Sequence, residues 1–300
     1  MIRAHTPRRR QPTFSFEFFP PASDAALEST MECIRELEAL SPSFVSVTCR
    51  PGADSGARTR ALVSRIRSET AIETLPHLTC RGRTRAGVAE LLGGYAADAV
   101  RGILALAGDP EPNVTDGGEY RFAAELVADI QAFNGSLASG DRFSVGVAGF
   151  PEGHPATANR LTEIDHLKAK VDAGADWICT QLFFDNRDFY DFCERCELAG
   201  IRVPIVAGIM PVTSWRTYKR MAELAGGVRY PAALIRSLRR CGDDDQAVNR
   251  VGVHWATEQC RDLLDHGVDG IHFYTLNQSR ATRDIFRTLG ATCSADLAHA

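Results

Sequence analysis

No run of apolar residues approaches the roughly 18 that a membrane-spanning helix requires, so no membrane span is expected. The first residues, Met1 to Thr13, lack an apolar core and do not read as a secretory signal. No G-x-G-x-x-G follows the first strand-like segment, which weakens the case for an open dinucleotide-binding sheet. No lysine falls on a strand-like run. Lys168, Lys170 and Lys219 lie on helical patterns, which argues against Schiff-base chemistry. No two histidines stand at metal-ligand spacing on one strand, so no catalytic metal is expected. A net charge of −4 gives no reason for a polyanionic partner. The one basic run, Arg8-Arg9-Arg10, reads as a solvated terminus rather than a nucleic-acid arm. The nine cysteines are odd in number, and Cys49, Cys80 and Cys179 sit in or at the ends of apolar runs. That is reduced, cytoplasmic usage. Cys193 and Cys196 form a C-x-x-C with helical, exposed-looking flanks and no second pair at zinc spacing, so a chance pair is the reading.

What is there is an alternation. The 300 residues, 44% hydrophobic and 24% charged, are enough for a core that needs no staples. Eight strand-like runs recur: Phe14–Phe19, Phe44–Cys49, Leu75–Cys80, Gly102–Ala107, Phe143–Phe150, Trp177–Phe184, Val203–Met210 and Gly270–Leu276. Helical periodicity lies between them, as in Asp24–Leu40 after Ser23, Asn159–Ala173 and Ala247–Asp265, with Ala232–Arg240 as an extra helix. Glycines at 174, 200 and 267 close helices. Eight βα units predict a single closed (β/α)8 TIM barrel over residues 14–290, between tails at 1–13 and 291–300.

In such a barrel the chemistry sits at the carboxyl ends of the strands. Strand alternation puts Phe14, Phe16 and Phe18 on one face and Ser15, Glu17 and Phe19 on the other, so Glu17 points into the barrel mouth. A carboxyl group among phenylalanines is paired, partly solvated or protonated, and a protonated one is a general acid. The alternative is a buried ion pair, against which stands the lack of a strand lysine. Asp109, between Gly108 and Pro110, is either a turn aspartate or a second acidic group of the same mouth. Gln181, in an apolar segment, either pairs with a heterocycle carrying adjacent donor and acceptor or is a core amide bonded to its neighbours.

Several stretches together resemble the methylenetetrahydrofolate reductase family, from about Thr13 to Gly290. They include Phe16-Glu17-Phe18-Phe19-Pro20-Pro21, Pro76-His77-Leu78-Thr79-Cys80, Gly108-Asp109, Pro151-Glu152-Gly153-His154-Pro155, Thr180-Gln181-Leu182-Phe183-Phe184-Asp185 and His272-Phe273-Tyr274-Thr275-Leu276-Asn277. The resemblance implies a TIM barrel in one-carbon metabolism. It would reduce methylenetetrahydrofolate to methyltetrahydrofolate with NAD(P)H, usually through bound FAD. By motif, Glu17 would be the general acid, Asp109 the carboxylate that stabilises an iminium cation, and Gln181 a pterin-binding amide. Phe183, Met221, Asn277 and Gln278 would complete the folate site. Thr48, His77, Gly108, Ala148, Phe150, His154, Glu163 and Lys170 would hold the cofactor.

The chain departs from the family pattern at specific positions. Ala107 stands where the pattern has a flavin-phosphate arginine, and Phe150 where it has tyrosine. Glu163 replaces an aspartate, Gln278 an arginine, and Met221 an aromatic residue. The loop Arg50 to Gly56 is one residue longer, and Arg50 or Arg81 could replace the missing cation. A pyrophosphate binds best to a fork-shaped cation or a helix N-terminus. The expectation is therefore a reductase that holds FAD weakly or not at all and takes its hydride from NADH, since no arginine cluster marks a 2′-phosphate pocket. The alternatives are an ordinary FAD-dependent reductase, a pterin-binding methyltransferase-type barrel and a folate binder without turnover.

Overall fold

The computed structural model describes residues 11–49, 55–109, 118–157, 159–224 and 228–297. The Arg8–Arg10 run and Arg50, with most of its loop, lie outside them. The chain runs β1 (Thr13–Phe18), α1 (Asp24–Glu38), β2 (Phe44–Val47), α2 (Ser55–Glu69), β3 (Thr74–Thr79), α3 (Arg85–Ala97), β4 (Gly102–Leu106) and α4 (Ala123–Asn134). It continues through β5 (Ser144–Gly149), α5 (Arg160–Asp172), β6 (Trp177–Thr180), α6 (Asn186–Leu198), β7 (Ile205–Ile209), α7 (Trp215–Leu224) and α8 (Ala232–Arg239). Then follow α9 (Asp245–Asp265), β8 (Gly270–Tyr274), α10 (Arg280–Thr288) and α11 (Ser294–Leu297). The eight strands are parallel and close in sequence order, β8 returning to β1. This is the (β/α)8 barrel expected from the alternation. Among the described residues no helix is long and apolar enough to cross a membrane.

Local chemistry sets the helix ends. Ser23 accepts the Ala26 N–H at the start of α1, and Asn159 accepts the N–H groups of Leu161 and Thr162 at the start of α5. Gly174, Gly200 and Gly267, at φ of 109°, 77° and 70°, take the left-handed conformation that ends α5, α6 and α9.

The strand faces divide as the period predicts. Phe14, Phe16 and Phe18 are fully buried in the layer between barrel and helices, where Phe286 meets Phe14 and Phe16, and Phe273 meets Phe16, at 5.8–6.2 Å. Each such ring stabilises the fold by about 1.5–3 kcal/mol. The inner face carries Ser15, Glu17, Ser46, His77, Cys179, His272 and Tyr274 instead. Two glycines make room there: a Cβ on Gly146 would lie 2.3 Å from the Trp177 ring, and one on Gly208 2.8 Å from Tyr274.

Two expected boundaries move. The run Trp177–Phe184 stops pairing at Thr180, because Leu182 and Phe184 leave the barrel for a second apolar cluster. That cluster, with Met210, Met221, Leu234 and Leu238, lies under α7 and α8. Residues 291–297, expected as a tail, dock instead: Ala291 and Leu297 are buried, and Ser294 binds the Leu40 carbonyl through both its N–H and its hydroxyl. Cys193 and Cys196 lie on α6 as expected, but they face inward. Cys196 is fully buried, and burial pushes its thiol up to about 12.

Candidate active site

Glu17 closes the inner row of β1, opposite Ser46 of β2 and Tyr274 of β8. Its Oε2 lies 3.4 Å from His77 Nε2 and 3.8 Å from His272 Nε2. Among the described residues no arginine or lysine pairs with it, and these two imidazoles are the basic side chains beside it. The expected alternative of a permanent cation beside Glu17 is therefore not what packs there. Burial drives His77 down to about 4, against the opposing pull of Glu17, so the imidazole is neutral at physiological pH. His77 Nε2 and the neighbouring Thr48 Oγ1 are buried without a hydrogen-bond partner. Such atoms are costly unless something completes them. Tyr274 lies across Gly208 and donates its hydroxyl to the Thr180 carbonyl at 2.7 Å.

Asp109 follows β4 on the same rim and is exposed. It stands after Gly108, whose φ of 88° and close approach to Thr79 exclude a side chain. Its charge reaches His154, whose imidazole is held below its usual value by burial first and by Lys170 second, with Asp109 opposing.

The β5–β6 side of the rim encloses a cavity of about 350 Å³ lined by Phe150, Glu152, His154, Glu163 and Gln181. Glu163 is buried on α5 and accepts the His154 N–H at 3.1 Å, which anchors the Pro151–Pro155 loop. Burial raises its carboxyl, with that N–H, Arg195 and Lys170 opposing. The His154 ring meets Phe150 edge-on at 4.6 Å, and its Nδ1 accepts the Ala156 N–H, which leaves the proton of the neutral ring on Nε2. Gln181 Oε1 accepts the Leu182 N–H at 2.8 Å. Lys170 reaches from α5 to the Ala148 carbonyl at 2.5 Å, and burial lowers its ammonium to about 8.

Three residues expected at the folate site make contacts within the protein. Phe183 stacks on Phe189 of α6 at 5.3 Å in the main core. Met221 is fully buried in the second cluster. Asn277 bridges β1 to the loop after β8: its Oδ1 accepts the Phe19 N–H at 2.7 Å, and its Nδ2 donates to the Phe19 carbonyl and to Thr30. Gln278 is exposed beside a crevice next to Tyr274, away from the larger cavity. His272 was not among the expected site residues. The signal for it was available, since it shares the inward phase of Tyr274 on β8.

The sequence matches the methylenetetrahydrofolate reductase family over residues 2–290. The chain belongs to that family. It is 36% identical over 293 residues to methylenetetrahydrofolate reductase (NADH) 1 of Arabidopsis thaliana, covering 93% of this chain and 48% of the relative. It is 36% identical over 278 residues to 5,10-methylenetetrahydrofolate reductase of Salmonella typhimurium, covering 92% and 90%. The chain thus spans about half the length of the plant relatives and most of the bacterial one. Among solved structures, an uncharacterized protein from Clostridium thermocellum that binds two copies of 5-methyl-5,6,7,8-tetrahydrofolic acid shares the fold. It has a TM-score of 0.63 at 15% identity, over 97% of this chain and 96% of that one.

Proposed function

We propose that the chain reduces 5,10-methylenetetrahydrofolate to 5-methyltetrahydrofolate with hydride from NADH or NADPH. The observation that carries this reading is Glu17, a buried carboxyl at the mouth flanked by two imidazoles and no arginine or lysine among the described residues. Glu17 delivers a proton to the bridging nitrogen of the folate, and the five-membered ring opens to an iminium cation. Asp109 on the same rim lowers the cost of that cation. Positioned proton transfer is worth roughly 10²–10⁴-fold in rate. A reduced nicotinamide supplies the hydride. Gln181 offers its side-chain amide to the pterin.

The mouth fits a flavin at one end only. Thr48 Oγ1 and His77 Nε2 are buried and make no hydrogen bond, although His77 Nε2 lies 3.4 Å from Glu17 Oε2, and both could serve a planar heterocycle with its own donors and acceptors. The phosphate arm finds the methyl group of Ala107 where the family pattern carries arginine. FAD is therefore held weakly or not at all, and NADH occupies the same region. Retention of Thr48, His77 and His154 favours a second reading in which FAD stays bound. An absorbance spectrum of the purified protein, followed by NADH oxidation with methylenetetrahydrofolate and no added FAD, tests both. Oxidation without a flavin band supports the first reading. A stoichiometric flavin band supports the second, and no folate-dependent oxidation with or without added FAD rejects the reductase.

A further inference from the structure

Beneath Glu17 the barrel interior holds a histidine that the burial of its ring keeps from any ligand. His272 Nδ1 lies 2.7 Å from Ser15 Oγ, and Nε2 lies 3.3 Å from Ser46 Oγ and 3.8 Å from Glu17 Oε2. The ring stacks on Phe44 at 5.9 Å and meets Tyr274 edge-on at 5.4 Å, so its plane is fixed. The register sets this arrangement: Ser15 pairs with His272 across β1 and β8, and Glu17 with Ser46 across β1 and β2.

A neutral imidazole has two tautomers. With the proton on Nδ1, Ser15 accepts it and Nε2 turns a lone pair towards Glu17. With the proton on Nε2, the Ser15 hydroxyl donates to Nδ1 and the Nε2–H faces Ser46 Oγ and Glu17 Oε2. Only the second arrangement offers a donor to the carboxylate that remains once Glu17 has given up its proton. We infer that His272, in this second tautomer, is a positioning residue that orients Glu17 and stabilises its carboxylate during proton delivery. This rests on the proposed reduction. In the step, the Glu17 O–H bond breaks, an N–H bond forms at the bridging nitrogen of the folate, and the C–N bond to that nitrogen opens. The new carboxylate oxygen then moves in from 3.8 Å towards the fixed Nε2–H, and no proton passes to or from His272. The other titratable groups facing Glu17 keep their charge near neutrality: burial holds the His77 imidazole neutral and raises both the Tyr274 hydroxyl and the Cys179 thiol.

The test compares His272→Phe with His272→Gln in the full chain, reading kcat, folate KM and the pH profile of kcat. His272→Phe has no nitrogen. It is expected to lower kcat roughly 10²-fold, with folate KM changed less than about threefold. The alkaline limb of the profile moves to higher pH, because a carboxylate without its donor forms less readily. His272→Gln can place an amide N–H near the Nε2 position and is expected to recover most of the rate and of the limb. An unchanged kcat and profile in His272→Phe overturns the inference. So does an equal loss in both variants with a stationary limb. If the phenylalanine variant does not fold, Ser15→Ala serves in its place: releasing the tautomer is expected to shift the limb in the same direction by less, and a stationary limb overturns the inference. Wild-type protein that binds the folate but never oxidises NADH defeats the reaction itself, an outcome visible before any variant is made.

Discussion

The β1–β3–β8 side of the mouth and its β5–β6 side are built from different materials. On the first, Glu17, His77 and His272 lie on strands, are buried, and face one another. His77 Nε2 and Thr48 Oγ1 keep spare hydrogen-bonding capacity. On the second, Glu152, His154 and Gln181 lie on loops, and each side chain accepts one backbone N–H, while Glu152 Oε1 is buried without a hydrogen-bond partner. Glu152 accepts the Arg229 N–H, Gln181 that of Leu182, and Glu163 of α5 that of His154. Parallel strands hold side chains to a fixed register, which proton transfer needs. Loops tied by carboxylates instead shape a cavity of about 350 Å³ for the bulk of a ligand. In the proposed reduction the proton comes from the strand side, while the loops supply Asp109 and the binding surface.

The strand side should respond to acid. His77 is neutral when folded down to about pH 4, whereas its free value is 6.5. As pH falls from 6.5 towards 4, the unfolded chain takes up a proton that the folded chain refuses, so stability is lost over that window. His77→Gln is expected to flatten the pH dependence of chemical denaturation there by about 3 kcal/mol. An unaltered slope would place this sector in contact with solvent and erase the contrast.

Asn277 ties the two ends of the strand side together. Asn277→Ala removes the side-chain hydrogen bonds to the Phe19 N–H and carbonyl and is expected to cost about 1–3 kcal/mol in denaturant unfolding. A loss of folate affinity with unchanged stability would instead return Asn277 to the folate site.

Ala107 sharpens the question of the cofactor. Ala107→Arg is expected to tighten FAD about tenfold or more by flavin fluorescence titration, the scale of a charge-assisted phosphate contact. No change would show that the missing guanidinium does not set flavin affinity.

The smallest effect is expected on the loop side. Glu163→Gln keeps the shape but weakens the bond to the His154 N–H, and should raise the nucleotide KM about fivefold with kcat little altered. A large fall in kcat would move chemistry to the loops.

Much of this architecture was legible in the chain. The alternation in Phe14–Phe18 assigned both faces of β1, because a strand has only two faces. Ser23 marked the start of α1 because its side chain caps an orphan N–H group. The partners of Phe183, Met221 and Asn277 were not legible. A phenylalanine just past a strand looks the same whether it lines a mouth or packs on a helix, and only α6 decides it. The inward phase of His272 was legible beside Tyr274, but its partners were not, because only the register sets Ser15 beside it.

The central claim is that the Glu17 carboxyl supplies the proton for folate reduction from the strand side. The direct test is Glu17→Gln, with NADH oxidation and equilibrium folate binding measured on the same preparation. The account predicts that turnover falls roughly 10²–10⁴-fold while the folate still binds within a few-fold of wild type. Turnover that survives the substitution, or binding that disappears with it, would contradict the account.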